Sequence, residues 1–220
     1  MEFDPHDPFP LVPLETLDND EARRHAVAVD AWLGFELDAV ERGIPKTLSR
    51  RTGQELWQHI PVQSMLTPYV ELRAMLAHLS LPAGSAVVDL GAAYGRMAFV
   101  IGRHHPDLSF TGYEYVLDRV LEGRRCLARI GYANVSLEVG DLTSRVFKPR
   151  AADLYFIYDY GTHRAIEKTL SDLRRIAAQR AIVVVGRGRA IRDSIERHHP
   201  WLSQVVTPEY RKNLSIYRSR

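Results

Sequence analysis

Residues 87 to 98 read VVDLGAAYGRMA: an apolar run ending at Asp89, a turn of small residues, then a helix-like pattern. Such a turn commonly receives a nucleotide, and its spacing says which. A dinucleotide turn needs G-x-G-x-x-G, so that backbone and helix N-terminus can approach a pyrophosphate. Read from Gly91, those positions hold Gly91, Ala93 and Arg96, and Arg96 is bulky and charged where the helix must pack on the sheet. A phosphate-first Walker A loop needs a Gly-Lys pair, and the chain has none. What fits is Asp-x-Gly-x-(Gly/Ala)-x-Gly, filled by Asp89, Gly91, Ala93 and Gly95, with Ala92 and Tyr94 between. S-adenosylmethionine (SAM) carries a sulfonium, an amino-acid end and an adenosine, and no phosphate. A carboxylate suits its ammonium, and small residues let the backbone come close. The plainer alternative is a tight strand-to-helix turn with no ligand.

Three further strand tips extend the pattern. GYEYV ends the second strand with Glu114 and Tyr115, and Glu114 lies 23 residues after Gly91. That is close to the offset of about 20 residues expected of a ribose-binding acid. VGDL ends the third, where Asp141 can accept from an adenine amino group and the Leu142 N–H can donate to the ring. A solvated acid and a turn aspartate are the ordinary alternatives. YFIYDYG ends the fourth, crowding Tyr158, Asp159 and Tyr160 where a methyl group would leave. Tyr155 and Phe156 read as core, whereas a tyrosine hydroxyl needs a partner or water.

The elements that position these tips follow from periodicity. Strands are predicted at Ala86 to Leu90, Ser109 to Tyr115, Val135 to Val139, Leu154 to Tyr158 and Ala181 to Val185. Helices are predicted near 95–104, 117–130, 163–178 and 189–198. In the third of these, Ile166, Leu170, Leu173 and Ala177 form one stripe behind a Thr162 cap. A stub of helix is expected within 142–152, and two closing strands near Leu202 to Val206 and Leu214 to Tyr217. Upstream, residues 1–18 read as an extended arm. A helix follows from Asp20 through Val29, Trp32, Leu33, Leu37 and Val40, to be ended by Gly43 and Pro45. Thr52 with Glu55 is a capping box, and Thr67-Pro68 reads as a hydroxyl cap with proline at the first helical position. Leu72, Met75, Leu76 and Leu79 give that helix its apolar face. Alternating strands and helices imply an α/β fold with a mostly parallel sheet covered on both faces.

RHHPDLS at 103–109 returns as RHHPWLS at 197–203. Neither copy has ligand spacing, so both read as helix stops, with histidine near the last carbonyls and proline ending the turn. No metal is expected. The single cysteine, Cys126, reads as a packed side chain. The 220 residues carry a net charge of +2, unevenly: residues 1–42 hold 11 acids and 3 bases, the rest 16 acids and 26 bases. A basic body attracts acidic partners, but no aromatic-and-basic run resembles an RNA-binding module. No apolar run is long enough to span a bilayer, and the N-terminus lacks the features of a secretory signal or transit peptide. A reducing cytoplasm is the expected location.

With these motifs the chain resembles the class I SAM-dependent methyltransferases over roughly residues 61–220. DLGAAYGR is similar to the family's first motif, GYEY to the second, GDL to the third and DLYFIYDYG to the fourth. The resemblance implies a seven-stranded, mostly parallel Rossmann-like sheet with an antiparallel last strand, and SAM as cofactor. Residues 1–60 would be an N-terminal arm and helical extension. MLTPYVELRAML also resembles a segment of small protein-lysine methyltransferases related to the ATP synthase subunit c enzyme. That segment helps cover the cofactor, which would bring Thr67 or Tyr69 near SAM. No Asn-Pro-Pro-Tyr stands at the fourth tip, where base-amine methyltransferases carry it. The expected reaction is methyl transfer to a nitrogen or oxygen, with a protein lysine as the narrower expectation. A protein or small-molecule acceptor is favoured over nucleic acid. The alternatives are a small-molecule enzyme and a SAM-binding module without catalysis. Tyr158 and Tyr160 would line the acceptor pocket, and Asp159 would hold the incoming amine or take its proton.

Overall fold

The computed structural model describes residues 1–48, 56, 58 and 60–220. Seven strands form one sheet: β1 (Ala86–Leu90), β2 (Ser109–Glu114), β3 (Val135–Val139), β4 (Leu154–Tyr158), β5 (Val183–Arg187), β6 (Glu209–Arg211) and β7 (Leu214–Arg218). Their order is β3-β2-β1-β4-β5-β7-β6. The first five run parallel, and β7 lies antiparallel to both β5 and β6. Order reverses between β1 and β4, and a ligand crevice opens at such a switch, outside the carboxyl ends of the strands.

Before the sheet come α1 (Asn19–Leu33), α2 (Leu37–Gly43), α3 (Val62–Met65) and α4 (Tyr69–Leu79). Between and after the strands come α5 (Arg96–His104), α6 (Leu117–Ile130), α7 (His163–Ala177), α8 (Arg189–His198) and α9 (Pro200–Ser203). Their apolar stripes meet the two sheet faces. Met75, Phe99, Val100, Phe110 and Val120 are buried in one core, and Ile166, Leu170, Leu173, Ile191 and Tyr217 in the other. The α7 stripe follows the sequence pattern, and Thr162 Oγ1 accepts from the Ala165 amide at 3.3 Å.

Several expectations need correction. The helix from Asp20 is two helices. Gly34 adopts φ 74° as the C-cap of α1, and the chain turns before Leu37 begins α2. Trp32 accordingly stays exposed. The capping box at Thr52 and Glu55 lies outside the described residues. Pro68, not Thr67, is the N-cap of α4, and no side chain caps that helix. No stub of helix occurs between β3 and β4. β5 begins two residues later than predicted, at Val183. The apolar patch at Leu202 is no strand: Pro200 opens the short α9, which buries Leu202, and β6 follows Pro208 instead.

The N-terminal arm is irregular but anchored. Phe9 is buried and stacks on Tyr69, centroids 5.1 Å apart, and Leu17 is buried beside Ala22 and Val70. Cys126 is buried too, and desolvation pushes its thiol up to about 11, far from thiolate chemistry. No helix among the described residues is long and apolar enough to cross a membrane.

Candidate active site

A cavity of about 240 Å³ opens at the switch point. Its floor is the turn after β1, with Gly91 and Ala93. Glu114 and Tyr115 of β2's end and Leu142 after β3 form one wall, and Tyr158, Asp159, Tyr160 and Gly161 form the other. Leu56, Ile60, Ser64 and Met65 cover it from the N-terminal side. A smaller annex of about 30 Å³ shares Met65, Gly91, Ala93 and Tyr158, and it adds Asp89, Ala92, Thr67 and Arg96.

The turn has the backbone its small residues allow. Gly91, Ala93 and Gly95 all have positive φ (93°, 47° and 76°). At Gly91 a Cβ would come 2.9 Å from the Tyr160 Cβ, so glycine is what lets the tyrosine ring lie over the turn. Ala93 holds a left-handed conformation that costs a non-glycine residue about 1 kcal/mol. Its amide donates to Glu114 Oε2 at 2.9 Å, which offsets that cost.

Glu114 is thus a brace as well as a wall. Its other oxygen, Oε1, accepts from the Val116 amide at 2.9 Å, and Arg119 stands 3.8 Å away. Two amides leave the carboxylate further lone pairs for hydroxyl donors. Arg119 also lines the cavity, but Glu41 of α2 grips it at 2.8 and 3.0 Å, and it donates to the Leu56 carbonyl.

Asp89 differs from every other acid here. It is 7% exposed and, among the described residues, its carboxylate makes no hydrogen bond or ion pair. Burial, and then the charge of Glu114, push its pKa up to about 8. A carboxyl in that state stays protonated near neutrality unless a positive charge comes to it and favours the ionised form. The cations of the walls do not supply one. Arg96 is bound to Asp30 of α1 through two contacts, to Gln63 Oε1 at 2.7 Å and to the Thr67 carbonyl at 3.3 Å. Asp30 also accepts from the Tyr69 hydroxyl at 2.7 Å. The site therefore offers anions to a ligand and keeps its arginines occupied.

Of the residues singled out in the sequence, Gly91, Ala93, Glu114, Tyr115, Leu142, Tyr158, Asp159 and Tyr160 line the cavity, and Asp89, Ala92 and Thr67 line the annex. Three do not. Tyr94 turns away, fully buried, with its hydroxyl donating to Glu41 at 2.7 Å. Gly95 starts α5 beneath Leu137. Asp141 closes a local turn, accepting from the Thr143 amide at 2.9 Å and hydroxyl at 2.6 Å. Asp159 is committed as well: its two oxygens accept from the Ala190 and Ile191 amides at 3.0 and 2.8 Å, which caps α8. Tyr158 donates to the Ser64 carbonyl at 2.9 Å, and Arg187 lies over its ring at 4.3 Å. The Tyr160 hydroxyl meets Thr169, and burial raises its pKa far above the usual range.

Sequence reasoning missed Arg119, Met65, Ser64 and the Glu71–Arg187 pair, a buried bidentate contact at 2.9 and 3.0 Å. Glu71 inside an apolar helix and Arg187 at a strand tip were the available signals, since a charge in a buried stripe implies a partner.

This fold recurs in solved structures. Precorrin-6y C5,15-methyltransferase from Geobacter metallireducens superposes with a TM-score of 0.54 at 16% identity, over 72% of this chain and 91% of that one. An RNA methyltransferase from Salinibacter ruber, in complex with S-adenosyl-L-homocysteine, gives 0.50 at 21% identity, over 70% and 91%. The fold is the Rossmann-like methyltransferase fold. TrmN from Thermus thermophilus shares it with a TM-score of 0.52 at 13% identity, over 70% of this chain, which spans about half (48%) of TrmN. No family model and no curated protein matches the sequence.

Proposed function

We propose that this chain is a SAM-dependent methyltransferase acting on an amine nitrogen, a lysine side chain being the class that best suits its wall. Asp89 carries the reading. A buried carboxylate without a partner, beside a switch-point cavity whose arginines are already paired, fits a cationic nucleoside and not a phosphate. SAM supplies a methyl group on a sulfonium, which needs alignment with a nucleophile more than activation.

The residues present fit that group. Asp89 would hold its positive amino-acid end, and the remaining lone pairs of Glu114 would take ribose hydroxyls. Gly91 and Ala93 allow close backbone approach, and Leu142, which lines the cavity, would offer an apolar contact to the base. Tyr158 and Tyr160 make an aromatic wall that excludes water. An amine entering such a wall is favoured in its neutral form. Both oxygens of Asp159 and both of Glu114 already accept from amides. Those bonds stabilise the carboxylates and weaken them as bases, so the proton would leave to water before the amine docks. That favours an amine, which needs no enzymic base once neutral, over a hydroxyl, which does.

Calorimetry with SAM, S-adenosylhomocysteine and NADH tests the cofactor. Labelled methyl transfer into lysate, with and without protease, then tests the acceptor. Label in protein that is lost on proteolysis supports the lysine reading, and label confined to small molecules redirects it. Binding of NADH without SAM would sink the proposal.

A further inference from the structure

The second histidine repeat does something the first does not. His163 opens α7, Glu167 follows one turn later on the same face, and His198 closes α8. One ligand atom from each lies within 4.8 Å of the others, with His163 Nε2 3.9 Å from Glu167 Oε1. That oxygen is buried and has no hydrogen-bond partner. The other, Oε2, is 3.0 Å from His199 Nε2, and Trp201 Nε1 donates to His199 Nδ1 at 3.0 Å. The indole thereby fixes the histidine tautomer, and the histidine fixes the carboxylate. Ser194 Oγ sits 3.2 Å from His163 Nδ1, which leaves Nε2 facing Glu167. Outer partners of this kind orient metal ligands.

We propose that His163, Glu167 and His198 form a binding site for a zinc-class divalent cation that joins the start of α7 to the end of α8. Two imidazoles and one carboxylate suit Zn²⁺, with a fourth position left to water. Bonds of about 2.1 Å require ligand atoms roughly 3.4 Å apart. The His163 side chain is 65% exposed, so small rotations close the remaining gap. The first repeat shows the contrast. His104 and His105 also leave buried Nε2 atoms without partners, but Arg73 and Arg103 crowd His104, and Asp7 and Asp107, though near, form no ligand cluster with them among the described residues. The consequence reaches the cavity rim. Gly161 lines the cavity, Thr162 caps α7, and Asp159 caps α8, so the cation would bracket the loop 159–161 from its outer side.

The test is Zn²⁺ titration of the full chain by calorimetry, beside His163→Ala, His198→Ala and the double variant. The expected result is saturation at one Zn²⁺ per chain, a melting point raised by Zn²⁺, and affinity at least tenfold weaker in each single variant. Equal affinity in the double variant overturns the proposal, as does the absence of saturable uptake. Anomalous scattering from zinc-soaked crystals of the unmutated chain gives a check free of folding effects: zinc between α7 and α8 supports the site, and zinc only elsewhere refutes it. SAM binding is read separately, so failure here leaves the cofactor assignment standing.

Discussion

Asp89→Asn separates the cost of a buried acid from its use. The folded pKa is about 8 against an ordinary 3.8, because burial and the neighbouring Glu114 oppose its ionisation. A group whose folded pKa is raised adds stability fully only below its unfolded pKa, and that contribution is lost as pH rises through the folded value. For Asp89 the loss runs from about pH 4 to about pH 8. At about 1.4 kcal/mol per unit, it amounts to about 4 kcal/mol by pH 7 as a ceiling. Asparagine keeps the shape and removes the proton equilibrium. Urea unfolding without cofactor should therefore show the variant gaining on the wild type as pH rises from 5 to 8. Cofactor binding should move the other way. A charge-assisted contact is worth about 1.5–3 kcal/mol, so the variant should bind SAM roughly 10–100-fold more weakly. Wild-type affinity should also fall below pH 8, by up to about one decade per pH unit, because the proton must leave before the cation docks. The variant should be flat over that range. A stability difference that stays constant with pH would refute the reasoning, since Asp89 would then carry an ordinary carboxylate pKa.

Gly91→Ala puts a Cβ 2.9 Å from that of Tyr160 at φ 93°; SAM affinity by calorimetry should drop at least tenfold, with strain of about 1–3 kcal/mol. Asp159→Ala removes the α8 cap and should lower stability by about 0.5–2 kcal/mol in urea titrations, with turnover following the folded fraction. Lost turnover at an unchanged melting point would return Asp159 to the chemistry. Arg187→Met strands the buried Glu71 and should cost about 3–5 kcal/mol, most of it recovered when Glu71→Leu is added.

The parallel core was legible because its signals are local. Alternating apolar runs and capped stripes gave β1 to β4 and α7 nearly residue for residue, and the acids at 89 and 114 marked the crevice. What escaped depends on contacts distant in sequence. Gly34 could as well have sat inside one long helix, and only packing decides that it ends α1. The patch at 202–206 has strand composition, yet Pro200 opens a short helix that buries Leu202 and ends at Ser203, and the rest of the patch is turn. Asp159 at a strand tip looked free for chemistry because the amides it caps lie 31 and 32 residues away. His163, Glu167 and His198 share no motif; only the crossing of α7 and α8 assembles them.

Arg96, the residue that argued against a dinucleotide turn, also decides how the chain opens. Its guanidinium joins α1, α3 at Gln63, and Thr67 to the first turn of α5. Pulling the N-terminal helices away would strip that guanidinium of its carboxylate, amide and carbonyl partners at once, so they do not peel off independently of the nucleotide turn. Amides of α1 and of α5 should then exchange with deuterium as one cooperative unit, at one free energy. A protease cut between residues 34 and 37 would accordingly loosen the glycine turn itself, about sixty residues along the chain.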